Sequence, residues 1–69
     1  MLLSEVRMNI KIEVLNCARH RYAPGFTCMI VKQNGEIVLE IINEDGICLG
    51  TVSGPKVPEV WLHMTGEVL

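Results

Sequence analysis

The sequence predicts an all-β domain, a small five-stranded antiparallel barrel or compact sandwich built from hairpins. Three observations carry that expectation. Apolar and polar residues alternate strictly near the N-terminus, an Asn-Gly pair sits between two apolar runs, and the connections between runs are too short for crossover helices.

The first segment is Val6 to Asn16. Val6, Met8, Ile10, Ile12 and Val14 alternate with Arg7, Asn9, Lys11 and Glu13, a period of two over nine residues that predicts a strand with one buried and one wet face. From Cys17 to Gly25 the alternation is lost, and Pro24-Gly25 is turn chemistry.

Phe26–Gln33 and Glu36–Asn43 flank Asn34-Gly35. Both central residues of a type I′ turn need positive φ, which asparagine and glycine tolerate, so the pair predicts a tight hairpin. A two-residue turn pairs Gln33 with Glu36, Ile30 with Leu39 and Cys28 with Ile41. Phe26, Cys28 and Ile30 then share a buried face with Ile37, Leu39 and Ile41, so turn and apolar pattern agree on one register.

Asn43-Glu44-Asp45-Gly46 predicts a second turn, leading into Ile47–Val52 with Cys48, Gly50 and Val52 on that same face. After the Ser53–Lys56 loop, Val57–Met64 reads as a fifth strand in which Val60, Leu62 and Met64 alternate with Glu59, Trp61 and His63. Pro58 fits there only at a strand start or edge.

Sixty-nine residues form one domain, 1–69, with a marginal core. At 49% hydrophobic and 20% charged the chain is too apolar to be disordered, and it has no apolar run long enough to span a membrane. The N-terminal residues lack the basic and apolar regions of a secretory leader, and three cysteines fit a reducing compartment, so the expected location is the cytoplasm. A net charge of −2 argues against a general nucleic-acid binder.

The most informative surface is the other face of the central hairpins. Thr27, Met29, Val31, Val38, Ile42, Ile47 and Leu49 are interrupted there only by Glu36 and Glu40. An outward face of a small barrel is normally polar. Either the sheet bends so that both faces are buried, or Met29, Val31, Val38, Ile42, Ile47 and Leu49 form an interface with a second copy or a protein partner.

Metal and catalytic chemistry find little support. Cys17-x-x-His20, Cys28, Cys48 and His63 are zinc-ligand types, but Cys28 and Cys48 fall on strands two apart with Ile41 between them, about 9.6 Å from one another. Both read as small core residues. A Cys17/His20 nucleophile–base pair has no residue to orient the base, and no Gly-rich phosphate loop is present. The expectation is a non-enzyme with no cofactor and no metal.

Arg19-His20-Arg21-Tyr22 is the one basic cluster. Paired guanidinium groups bind phosphate and Tyr22 can stack on a base, which defines the alternative function, a nucleic-acid or phosphate-ligand module. Ile30–Val38, followed by Val52-Ser53-Gly54-Pro55-Lys56-Val57, resembles in part the two motifs of Sm-like RNA-binding proteins. Ser53 stands where that family has a basic residue, Leu39 replaces a glycine, and the motifs lie closer together. The RNA site is therefore not carried over. The favoured expectation is a non-catalytic protein-interaction or self-associating regulatory module.

Overall fold

The computed structural model describes residues 12–69. Among these residues four strands, β1 (Ile12–Arg19), β2 (Thr27–Gln33), β3 (Glu36–Ile42) and β4 (Cys48–Ser53), precede one helix, α1 (Val57–Thr65). The strands form an antiparallel sheet in the order β1-β2-β3-β4. The sheet does not close, because β1 and β4 lie at opposite edges, so the expected barrel is replaced by an open sheet with a helix on one face. The part of the first predicted strand from Val6 to Lys11 lies outside the described residues.

The central hairpin has the expected register: Gln33 opposite Glu36, Ile30 opposite Leu39, Cys28 opposite Ile41. Asn34 at φ 52° and Gly35 at φ 82° supply the two left-handed residues of the turn. In the next turn the Gly46 amide donates to the Asn43 carbonyl at 3.0 Å. The Asn43 side-chain oxygen accepts from the amides of Asp45 and Ile47 at 3.0 and 2.9 Å, fixing the geometry before β4 starts at Cys48.

The fifth strand is instead α1. Val57, Val60, Trp61 and Met64 recur at helical spacing, with Val57 and Trp61 buried and Val60 and Met64 half-buried. Pro58 lies in the first turn, where an amide would have no helical partner. Glu59 complements the helix dipole at that end. Gly66, at φ 76°, terminates the helix and donates its amide to the Leu62 carbonyl at 2.8 Å. A strand would have placed Trp61 on the wet face, whereas the helix buries it completely.

The core lies between α1 and one face of the sheet. Cys28, Ile30 and Leu39 pack with Val57 and Trp61, and Ala18, Ile37, Val52, Val60 and Met64 surround them. Burying such side chains contributes about 1.5–3 kcal/mol each.

Both edge strands carry one extra residue relative to the neighbouring strand. Val14 and Asn16 oppose the consecutive pair Val31 and Ile30, which leaves Leu15 unpaired. Cys48 and Gly50 oppose Ile42 and Ile41, which leaves Leu49 unpaired. Each bulge reverses the side-chain phase of the residues before it. Ile12 and Val14, expected in the core, therefore turn to the face away from the helix and are 60% and 59% exposed. Cys48, also expected to be buried, is exposed for the same reason. Cys17 to Arg19, expected in a loop, complete β1. Phe26, assigned to the core from sequence, is half-buried outside the core cluster.

Candidate functional site

The outer sheet face is assembled by ladder pairing. Val31 lies between Val14 and Val38, Met29 opposes Cys17 and Glu40, and Ile42 opposes Thr27. Exposure is uneven across it. Val31 is only 2% exposed, and Met29, Val38 and Ile42 are half-buried. The accessible apolar surface is concentrated towards the edges, with Ile12, Val14 and Leu15 on β1 and with Ile47 and Leu49 at β4, the last two 57% and 54% exposed. Of the six residues expected to form the patch, Ile47 and Leu49 offer the most exposed side chains. The contribution of β1 was missed because Ile12 and Val14 alternate as core residues should. The consecutive apolar pair Val14-Leu15 was the available sign of a bulge.

The basic cluster separates into individual roles. Arg19 ends β1, and the following loop closes with the His20 amide donating to the Phe26 carbonyl at 3.0 Å. The His20 Nδ1 accepts from the amides of Tyr22 and Ala23, both at 3.1 Å, so this imidazole organises the loop. Arg21 ties the loop to α1. Its amide donates to the Met64 carbonyl at 2.8 Å and its Nε to the His63 carbonyl at 2.9 Å. A cation at the carbonyl end of a helix is electrostatically favourable. The Arg21 guanidinium also lies 4.8 Å from the Tyr22 ring centroid, and the Tyr22 ring lies 5.5 Å from that of His63.

A cleft of about 730 Å³ opens beside this loop, lined by Arg19, His20, Arg21, Phe26, Thr27 and Glu44 among others. The Glu44 carboxyl group lies over Gly25, so close that a Cβ there would collide with it. The cleft thus holds both signs of charge. Arg19 and Arg21 both line it, with the Arg21 Nε engaged at the helix end.

Cys17 and Cys48 are exposed and Cys28 is buried. Burial pushes the Cys28 thiol above its ordinary pKa, with a further upward push from Cys17. The Cys48 thiol donates to the Gly50 carbonyl at 3.4 Å. Among the described residues, no three of His, Cys, Asp or Glu converge as metal ligands. The Nδ1 of His20 already serves two backbone amides, which occupies one of the two ring nitrogens through which it could serve Cys17 as a base. No described helix is long and apolar enough to cross a membrane.

Comparisons of the chain with protein-family models, curated proteins and solved structures return no match.

Proposed function

We propose that this domain is a non-catalytic interaction module that self-associates, or docks a protein partner, through the apolar surface of its open sheet. The observation that carries this reading is the exposure of Ile12, Val14 and Leu15 at one edge and of Ile47 and Leu49 at the other. A helix covers one face of the sheet, and the small core it forms leaves these aliphatic groups in water. Association would remove them from it, at about 25 cal/mol per Å² of apolar surface.

The test is absolute mass by light scattering over a hundredfold concentration range, for the wild type and for Leu49→Lys. Leu49 is exposed, so the lysine leaves folding intact and shifts the mass towards the monomer. Val31→Glu is the contrasting variant, because it buries a charge and unfolds the chain. A wild-type monomer at every concentration would remove self-association and leave only a different protein partner for this surface.

A second reading, binding of a nucleic acid or phosphate ligand, is supported by Arg19 lining the cleft and by the exposed ring of Tyr22 beside it. It requires salt-sensitive binding that Arg19→Ala weakens. Binding of single-stranded oligonucleotides that responds to neither change would exclude it.

A further inference from the structure

We propose that the cleft beside the β1–β2 loop binds a small zwitterion of the amino-acid class, its carboxylate held by Arg19 and its ammonium by Glu44. The proposal is independent of the association described above. It takes the cleft of the second reading and gives it a ligand carrying both charges.

Two unpaired charges of opposite sign carry the argument. Arg19 and Glu44 both line the cleft. Among the described residues, neither the Arg19 guanidinium nor the Glu44 carboxyl group has a hydrogen-bond or ion-pair partner, so the two do not neutralise one another. They stand on separate elements. Arg19 ends β1 and pairs with Thr27, and Thr27 pairs with Ile42 at the end of β3, two residues before Glu44. Adjacent strands lie about 4.8 Å apart, so β2 separates the Arg19 and Ile42 backbones by roughly 10 Å. A ligand bridging this gap brings an anion to Arg19 and a cation to Glu44. A polyanion such as a nucleic acid would instead set its phosphates against Glu44, and the net charge of −2 adds to that repulsion.

Both walls are fixed before any ligand arrives. On the loop side, the His20 Nδ1 accepts from the Tyr22 and Ala23 amides, and the Arg21 amide donates to the Met64 carbonyl. On the turn side, the Asn43 side-chain oxygen accepts from the amides of Asp45 and Ile47. Gly25, at φ 87°, leaves free the space that the Glu44 carboxyl group occupies. Such preorganisation lowers the entropy lost on binding. Phe26 lines the cleft and is half-buried outside the core cluster, which makes it an apolar contact for the ligand side chain. The volume of about 730 Å³ is that of a small-molecule site.

The test is an NMR titration of the full chain with each standard L-amino acid to about 10 mM, a range that reaches millimolar affinities. Saturable shifts at the backbone amides of Arg19, Thr27 and Glu44 are expected for at least one of them. Its carboxamide, which lacks the carboxylate, and its N-acetyl derivative, which lacks the ammonium, should each bind at least about tenfold more weakly. Arg19→Gln and Glu44→Gln should each weaken binding by the same factor. Both side chains are exposed, so the variants keep the fold, which circular dichroism checks. Inorganic phosphate producing the same shifts, with dependence on Arg19 alone, would overturn the zwitterion and leave the phosphate reading standing. Binding that neither substitution weakens, or no saturable shift with any amino acid, would overturn the proposal outright.

Discussion

Trp61 is fully buried, yet among the described residues its indole Nε1 has no hydrogen-bond partner. The largest core side chain is therefore held by packing alone, and truncating it should have two separable effects. Trp61→Ala removes the ring that joins Val57 to Cys28, Ile30 and Leu39. Large aromatic-to-alanine changes cost about 3–5 kcal/mol. A chain of 69 residues holds about 3–10 kcal/mol in total, so this variant should be largely unfolded or close to it. Trp61→Phe also removes the unpaired N–H, whose burial costs about 1–3 kcal/mol. That gain offsets about 1–2 kcal/mol of lost apolar burial. The net change should stay within about 1 kcal/mol, a melting shift of no more than about 4–8 °C. Urea denaturation followed by far-ultraviolet circular dichroism is the appropriate assay, since the chain has one tryptophan and the variants lose that fluorophore. A phenylalanine variant as unstable as the alanine variant would refute the reasoning, because it would mean that the indole N–H is hydrogen-bonded in solution.

Other consequences are equally direct. Gly35→Ala should cost about 1–2 kcal/mol from its left-handed backbone alone, as nothing lies near a Cβ there. Gly25→Ala should cost more in urea melts, and adding Glu44→Ala should recover only the excess, since the Glu44 carboxyl group is what the new methyl meets. Arg21→Ala should lower stability by about 1–2 kcal/mol and speed amide exchange at Gly66, whereas Arg19→Ala should leave both unchanged. For Cys28 the folded thiol ionises above the ordinary value of 9.0. The unfolded thiol therefore loses its proton first, and the contribution to stability present below pH 9.0 declines as pH rises towards the folded pKa. Urea midpoints measured between pH 7 and 10.5 should fall less steeply in Cys28→Ala than in wild type, and equal slopes would contradict the assignment. With a maleimide at neutral pH, Cys17 and Cys48 should react promptly and Cys28 only on unfolding.

Local chemistry fixed the centre of this protein before any tertiary contact was considered. Asn34-Gly35 specifies a turn with two left-handed residues, and only one register then aligns Cys28 and Ile30 with Ile41 and Leu39. The tight turn and the period of the side chains determine that pairing between them. The aliphatic composition of the opposite face was equally plain in the sequence. What lay beyond it was decided by burial across the whole chain. Val57–Met64 carries both a two-residue and a helical periodicity, and the choice depends on where Trp61 finds a core, which is the sheet face formed by β2 and β3. The same is true of the two edges. One unpaired leucine in β1 and one in β4 reverse the side-chain phase, sending Ile12, Val14 and Cys48 to the outer face against the apolar pattern. Alternation predicts the face of a residue only while the ladder is unbroken, and a bulge is a property of two strands together.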